Sequence, residues 1–220
     1  RIVFFNPGGG PHPSGEGFAF TEGGLVHAVY SFIPLADQYD VTVICPNVPR
    51  QNEGRQYDYY GVRIECPAGM PIPPGLHPGE LSVHGRRLAT LLRGPGAVAD
   101  YVLAVRRTRG MAPSVVLANG TLGAYLLARC QRQARTIAVI HHLYHDARTT
   151  GSQTAAVSLT ARFESLLLRW LSVDGIAVVN PAVKDRLVEC GLDASRIVCV
   201  GNGVDADRYA FAALKPGVQL

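Results

Sequence analysis

Three of the seven histidines stand within five residues of one another, at His141, His142 and His145. They directly follow the apolar run 136–140, which is typical of a buried strand. Because histidine titrates near neutral pH, it can orient a hydroxyl group, accept its proton or bind a metal ion. The spacing is not a standard zinc-ligand pattern, and no nearby cysteine or glutamate completes a ligand set. We therefore predict that at least one of these histidines binds ligand or acts in catalysis, without a metal.

A glycine-rich loop, residues 8–17 (GGGPHPSGEG), follows the first apolar run, residues 1–5. Glycine lets the backbone approach a ligand closely and point its N–H groups at it, which would suit a phosphate or a sugar. No Gly-Lys-Ser/Thr sequence follows, so the loop is not a P-loop. Phe20 stands where the dinucleotide-binding fingerprint needs its third glycine. The alternative is a tight turn between a strand and a helix, with no ligand.

Polar residues also end two later apolar runs. Asn119 follows residues 114–118, where its side chain either contacts a ligand or caps the next helix. Residues 201–205 (GNGVD) follow the run 197–200, and the Asn-Gly pair is by itself a turn signal.

These loops need a scaffold that brings them together. Apolar strands are predicted at residues 1–5, 41–45, 60–66, 114–118, 136–140, 175–179 and 197–200. Helical periodicity is predicted over residues 22–37, 81–109, 122–133, 154–172 and 182–190. Continuous apolar strands separated by helices predict a doubly wound α/β domain: a mostly parallel sheet of about seven strands with helices on both faces. Such sheets bind ligands at the carboxyl ends of their strands.

Composition excludes several classes of protein. The chain has 220 residues, of which 47% are hydrophobic and 17% charged, which indicates a globular domain. No apolar run is long enough to span a bilayer. The net charge of +4 comes without a block of like charges, so nucleic acid is not expected as a partner. The five cysteines include no CxxC pair, which predicts reduced core thiols in a cytoplasmic protein.

The carboxyl-terminal quarter carries a resemblance to a known family. Phe163-Glu164 leads an apolar helix, the segment 173–180 (VDGIAVVN) follows, and residues 202–205 (NGVD) end the pattern. In this order the chain resembles the amino-terminal domain of retaining glycosyltransferases of family 4 (GT4), which have the GT-B fold. The glycine-rich loop and His141 also fall where the family has them. The chain departs from the family at Asn180-Pro181, where serine is usual.

The resemblance implies a Rossmann-like acceptor-side domain over residues 1–208, with residues 209–220 beginning a linker to a donor-binding domain that this chain lacks. It implies a hexosyltransferase that moves a sugar from a nucleotide sugar to an acceptor hydroxyl, with retention of configuration. The use of arginine in place of lysine separately predicts a bacterial source with a GC-rich genome. No cofactor is expected besides that co-substrate, and the isolated domain is expected to be inactive. Its partners would be a small-molecule acceptor and the donor domain of the same chain.

The resemblance also assigns roles to residues. The backbone N–H groups of Gly9 and Gly10 would approach the donor phosphates, and His141 would be the catalytic residue that orients the reacting groups. Glu164 would have a structural role at a helix start. The expected acceptor contacts are His12, Asn119, His142, Tyr144 and His145. The expected hinge residues are Gly201, Asn202, Gly203 and Asp205.

Two alternatives stay open. One is a different GT-B enzyme, such as a sugar-nucleotide epimerase or a phosphorylase-like protein. The other is a binding domain without enzymatic activity. A second Rossmann-like domain with two spaced glutamates after Leu220 would favour the glycosyltransferase. Membrane contact is disfavoured, because the apolar stretch 67–80 contains no basic amphipathic helix.

Overall fold

The computed structural model describes residues 1–6, 11–14, 17–20, 32–45, 54–67, 101–143 and 155–201, with the backbone alone for 11–14, 17–20 and 155–160. Its strands are β1 (Ile2–Phe5), β2 (Pro11–Ser14), β3 (Gly17–Phe20), β4 (Val41–Ile44), β5 (Gln56–Tyr59), β6 (Val62–Glu65), β7 (Val115–Asn119), β8 (Arg135–Ile140), β9 (Gly175–Val178) and β10 (Ile197–Cys199). Its helical segments are α1 (residues 32–36), α2 (101–110), α3 (Thr121–Cys130), α4 (Ala155–Arg169) and α5 (Pro181–Glu189), with a 3₁₀ turn at Ala194–Arg196.

The eight-stranded sheet has the order β10-β9-β8-β7-β1-β4-β6-β5. Every neighbouring pair in it is parallel except β5 and β6, which are antiparallel. The first strand of the chain therefore lies inside the sheet, between β4 and β7. This confirms the predicted doubly wound, mostly parallel sheet, with eight strands where about seven were expected.

The additional strand is β5, which forms a hairpin with β6. Tyr60 and Gly61 at the turn both have positive φ angles, 50° and 79°. Two positive φ angles in a two-residue loop define a type I′ turn, whose twist matches that of the strands it joins. A Cβ at Gly61 would also lie 3.3 Å from the Cβ of Ala36. Both observations favour glycine at this position.

The loop after β1 also contains unexpected structure. Strands β2 and β3 pair in an antiparallel hairpin, in which Pro11 is opposite Phe20 and Ser14 is opposite Gly17. The expectation that residues 8–17 are loop throughout is therefore wrong. With two prolines and few apolar residues, the segment lacks the pattern by which strands are predicted.

Apolar clusters cover both faces of the sheet. Val3 and Phe5 face one cluster, which includes residues from α2, α3, α4 and α5. Phe4 faces the other, which includes Phe32 of α1. The packing of α3 on β1 is close, because a Cβ at Gly123 would lie 3.0 Å from two ring carbons of Phe5. Helices on both faces of the sheet are thus confirmed.

An ion pair joins α2 to the sheet. Nε and a terminal nitrogen of Arg107 donate to the two carboxylate oxygens of Glu65 at 2.8 and 3.3 Å. Glu65 is buried, whereas the arginine side chain is about half exposed. The hydrogen bond and negative charge of Glu65 raise the pKa of the Arg107 guanidinium. A buried carboxylate needs such a partner, so the pair fixes one register of α2 on β6.

The cysteines divide into two groups. Cys45 and Cys66 are buried among the apolar residues, and burial raises the pKa of the Cys66 thiol to about 12. Cys130, Cys190 and Cys199 are exposed. The expectation of core thiols is therefore wrong for these three. Two of them lie at or just after the last residue of a helix, and the third lies in β10 at the edge of the sheet.

Candidate functional site

Two asparagines are hydrogen-bonded at the carboxyl ends of neighbouring central strands. Asn119 ends β7, and its Nδ2 donates to Oδ1 of Asn6, directly after β1, at 2.8 Å. Asn6 is only 1% exposed, and its own Nδ2 has no hydrogen-bond partner among the residues that the structure describes. Because an unpaired buried amide donor costs free energy, this group is an available donor at the edge where doubly wound sheets bind ligands.

Strand register explains how these side chains meet. Phe4 of β1 is paired with Leu117 of β7, and both pack in the same apolar cluster. Since side chains alternate between the two faces of a strand, Asn6 and Asn119, two residues later, lie on that same face. The backbone N–H of Asn6 donates to the carbonyl of Ile44 at 2.9 Å, which extends the ladder past the end of β1.

His141 follows β8, the next strand of the sheet. Asn119 is paired with Val139, and His141 directly follows the last residue of β8, Ile140, so it stands at the same carboxyl edge of the sheet as the two asparagines. His141 is half-buried, whereas the next histidine, His142, is exposed. The structure thus brings Asn6, Asn119 and His141 to the carboxyl ends of three consecutive strands, and we call them the polar row.

The start of α3 settles one open alternative. The N-cap of α3 is Gly120, with φ 82° and ψ 157°, and within the described ranges no side chain caps the helix. The interpretation of Asn119 as a helix cap is therefore wrong, because its amide is directed to Asn6 instead. The backbone N–H of Gly120 donates to the carbonyl of Val139 at 2.9 Å, which holds this turn against β8.

The resemblance predicts Glu164 at the start of a helix, and this prediction is wrong. Glu164 lies inside α4 and is 8% exposed. Its Oε1 accepts a hydrogen bond of 3.2 Å from the hydroxyl of Thr121, the first residue of α3. The carboxylate therefore links α4 to the amino-terminal turn of α3, next to the polar row.

The departure from the family at Asn180-Pro181 also has a structural account. Asn180 is the N-cap of α5, and its Oδ1 accepts a hydrogen bond of 2.9 Å from the backbone N–H of Val183. Proline at the first helical position is favourable, because that N–H has no partner within a helix. Asparagine and serine are equally good caps, so the replacement preserves the start of this helix.

The remaining predicted site residues fall into two groups. Seven of them lie outside the described residues, namely Gly9, Gly10, Tyr144, His145, Asn202, Gly203 and Asp205. His12 lies in β2, opposite Ala19, and Gly201 has a φ of 66° after β10. Among the residues that the structure describes, no three His, Cys, Asp or Glu side chains could together hold a metal ion.

Asn6 was not among the residues predicted for the site. Its sequence context, an asparagine between a buried strand and a proline, indicates only a turn. The informative signal was its position at a strand end, the same signal that singled out Asn119 and His141. No helix among the described parts of the chain is long and apolar enough to cross a membrane.

Comparisons with known proteins agree with this architecture. The structure is similar to crystal structures of Anabaena Alr3699/HepE, one in complex with UDP-glucose and one with UDP and glucose. The TM-score is 0.57 for both, at 12% and 13% sequence identity. The match covers 94% of this chain but 45% and 46% of those chains, so this chain spans less than half of their length.

At sequence level, no curated protein matches the chain. The profile described as Glycosyltransferase Family 4 matches residues 23–208, which include Asn119, His141 and Glu164. The matched range covers most of the 220 residues and all of the described helices. The chain therefore belongs to glycosyltransferase family 4.

Proposed function

We propose that this chain is the acceptor-side half of an enzyme that transfers a hexose from a nucleotide sugar to an acceptor hydroxyl. The observation that carries the proposal is the polar row at the carboxyl edge of a family 4 domain. Asn6 and Asn119 are joined there by a hydrogen bond, and His141 directly follows the adjacent strand, β8.

The chemistry of the row suits a hydroxylated ligand. A carboxamide both donates and accepts hydrogen bonds, as a sugar or acceptor hydroxyl does. The unpaired Nδ2 of Asn6 could donate to a ligand oxygen and so gain the partner that it lacks. An imidazole such as that of His141 can hold the reacting hydroxyl in line with the donor. The expected contribution of the row is therefore orientation of the acceptor.

The donor sugar is proposed to arrive as a nucleotide sugar. Support comes from the fold, which is shared with proteins crystallised with UDP-glucose or with UDP and glucose. The backbone N–H groups of Gly9 and Gly10 would contact the donor phosphates, whose charge they could stabilise as the leaving group departs. The base and sugar would be selected by a second domain, beyond residues 209–220. The hinge between the two domains would be formed by Gly201, Asn202, Gly203 and Asp205.

Retention of anomeric configuration is proposed from the family resemblance. In that mechanism the leaving phosphate serves as the base, so His141 needs only to orient the acceptor. His12, His142, Tyr144 and His145 are proposed as further acceptor contacts. A cytoplasmic location is proposed as well, and it agrees with the lack of a disulfide bond at any of the five cysteines, all of which lie in the described parts of the chain.

The test uses the full-length protein with a panel of sugar nucleotides, including UDP-glucose, and a panel of hydroxylated acceptors. The expected result is a glycosylated acceptor, and NMR of the new anomeric proton shows whether configuration is retained. The 220-residue chain alone should give no turnover. Conversion of the sugar nucleotide to an isomer without any acceptor would favour an epimerase. Binding without any turnover across both panels would favour a non-catalytic domain.

A further inference from the structure

Two buried cysteines occupy neighbouring positions at the carboxyl ends of adjacent strands. Cys45 directly follows β4, and Cys66 directly follows β6. The two strands are parallel, and the last pair in their register is Ile44 with Glu65, so the next residue on each strand is a cysteine. The backbone N–H of Cys45 donates to the carbonyl of Glu65 at 2.9 Å, which continues the ladder past that pair. Strand register therefore places the two cysteines side by side.

Both cysteine side chains lie on the same face of the sheet. They belong to one apolar cluster, together with Val43 and Ile64, the residues two positions earlier on the same strands. Neighbouring strands of a sheet lie about 4.7–4.9 Å apart. A disulfide bond accommodates Cα atoms that are about 4.4–6.8 Å apart. The spacing of β4 and β6 therefore suits a disulfide bond between Cys45 and Cys66.

Burial restricts the chemistry that is open to this pair. Cys45 is 0% exposed and Cys66 is 1% exposed, and the other buried members of their cluster are all aliphatic or aromatic. A charged sulfur is unfavourable in such surroundings, which is why burial raises the pKa of the Cys66 thiol to about 12. A disulfide bond carries no charge. The surroundings therefore favour a disulfide bond over a thiolate or a sulfinate.

We propose that Cys45 and Cys66 are a redox-active pair, whose two thiols a peroxide oxidises to a disulfide bond. The sulfur of one cysteine attacks the O–O bond of hydrogen peroxide, which gives a sulfenic acid and one molecule of water. The sulfur of the other cysteine then displaces the sulfenic hydroxyl group, which forms the S–S bond and releases a second water. The cysteines lose two electrons and two protons, and the peroxide is reduced to water. A dithiol reductant restores both thiols by exchange.

The three exposed cysteines differ from this pair. Cys130, Cys190 and Cys199 are exposed, so peroxide and alkylating reagents reach their thiols directly. The buried pair is reached by a small oxidant or when the strand ends open, so its oxidation at neutral pH should be slower than theirs. Its rate should rise with pH, because the thiolate is the attacking form.

The pair lies one strand away from Asn6 of the polar row. The backbone N–H of Asn6 donates to the carbonyl of Ile44, the residue before Cys45. A bond between Cys45 and Cys66 would therefore cross-link the strand end that supports Asn6. It would also close the loop between the two cysteines, which should stabilise the folded state relative to the unfolded chain. The inference rests on strand register and burial, and it does not depend on the proposed function.

The test is oxidation of the folded full-length protein by hydrogen peroxide, followed by alkylation of the remaining thiols and peptide mapping by mass spectrometry. Trypsin cleaves after Arg50 and Arg63, so the two cysteines fall in separate peptides. We expect these peptides to be joined, with a mass about 2 Da below their sum, and to separate on reduction with dithiothreitol. After oxidation in concentrated guanidinium, where strand register is lost, this linkage should be only one of several.

Substitutions separate this pair from the exposed cysteines. Cys130→Ser/Cys190→Ser/Cys199→Ser removes the three exposed thiols and should keep the linkage at the yield of the wild type. Cys45→Ala and Cys66→Ala, which keep the cluster apolar, should each abolish it. If either member of the pair links instead to an exposed cysteine or to a second copy of the chain, the proposal is wrong. It is also wrong if both stay reduced while the exposed cysteines are oxidised.

The stability of the folded state gives an independent readout. Oxidised wild-type protein should unfold at a higher urea concentration than reduced protein, with a folding equilibrium constant that is larger by about tenfold or more. Dithiothreitol should remove this difference. Cys45→Ala should show no such increase after the same peroxide treatment, which controls for oxidation elsewhere in the chain. A lower midpoint for the oxidised wild type than for the reduced protein would mean that the bond does not fit the native register, and would overturn the proposal.

Discussion

Asn119 donates a hydrogen bond of 2.8 Å to Asn6, a residue 113 positions earlier in the chain. The bond joins the carboxyl ends of two parallel strands and leaves the amide nitrogen of Asn6 buried, with no partner in the described part of the chain. A protein that was optimised for stability alone would favour an apolar residue here, because an unpaired buried donor is unfavourable. The arrangement therefore indicates that a ligand supplies the partner of this amide group.

Replacing Asn6 should reduce activity more than stability. In the full-length enzyme, we expect Asn6→Ala to lower turnover by about tenfold or more, because a ligand loses one hydrogen bond in a buried site. The free energy of unfolding should fall by about 1 kcal/mol, because the half-buried Asn119 loses its acceptor while an unpaired buried donor is removed as well. Steady-state kinetics and urea titration measure the two quantities.

Thr42 supplies the matched control for Asn6. Its hydroxyl is also buried and has no partner among the described residues, but it lies within β4 and not at the carboxyl edge. Thr42→Val should leave turnover unchanged. If Thr42→Val lowered turnover as much as Asn6→Ala does, the effect of Asn6→Ala would reflect damage to the folded structure and not the loss of a ligand contact.

His141→Ala should lower turnover by about a hundredfold, because a misplaced acceptor reacts far more slowly than one that is well oriented. The half-buried imidazole contributes little to the core, so the melting temperature should change by only a few degrees. Kinetics of the full-length enzyme with saturating donor, together with a thermal unfolding curve, test both statements. Kinetics close to those of the wild type would remove His141 from the site.

Glu164 should matter for stability through its position between α4 and α3. Glu164→Ala leaves the buried hydroxyl of Thr121 without this acceptor, and we expect a loss of about 2 kcal/mol in the free energy of unfolding. Glu164→Gln keeps an acceptor oxygen and should lose less. Glu189→Ala breaks an exposed ion pair with Arg186 and should cost no more than about 0.5 kcal/mol. Equal stability of Glu164→Ala and Glu189→Ala would contradict the stabilising role of the bond between Glu164 and Thr121.

Gly123→Ala should destabilise the protein even though alanine is the better helix former. The new Cβ would lie 3.0 Å from the buried ring of Phe5, and overpacking of this kind costs about 1–3 kcal/mol. Gly110, in α2, is the matched control, because a Cβ there meets nothing within 4 Å. Gly110→Ala should raise stability by up to about 1 kcal/mol. Chemical denaturation that ranks the two variants in the opposite order would contradict the packing described here.

The buried thiol of Cys66 should make the fold sensitive to alkali. Burial raises its pKa from 9.0 to about 12, so above pH 9 the unfolded chain releases a proton that the folded chain keeps. The contribution of the protonated Cys66 thiol to the free energy of unfolding is therefore fully present below pH 9 and is lost as the pH rises towards 12. Cys66→Ala should show a shallower loss of stability over this range in urea titrations. An identical pH profile for the wild type and the variant would exclude this contribution.

The order of strands and helices could be predicted from sequence because parallel strands are buried on both faces. The run 41–45 is continuously apolar for this reason, and β4 (Val41–Ile44) lies within it. Strand β5 could not be found in this way. Gln56 and Asp58 are exposed at the edge of the sheet, and the segment has no continuous apolar run. Its existence depends on the turn at Gly61 and on pairing with β6, which are features of tertiary structure.

The candidate site could be predicted only in part, because some of its contacts depend on tertiary structure. Asn119 and His141 were identified because each follows an apolar strand, and position along the chain is visible in sequence. The contact of Asn119 with Asn6 depends on strand register, which sequence does not display. The burial of Glu164 was equally hidden, because it depends on how α4 packs against α3.

The place of β1 in the middle of the sheet has a consequence for the synthesis of this protein. β1 leaves the ribosome before both of its partners, and one of them, β7, begins only at Val115. At translation rates of about 5–20 residues per second, roughly 5–20 s pass before β7 exists. During that time the nascent chain has an unpaired edge on an apolar strand, which is a feature that chaperones bind and that promotes aggregation.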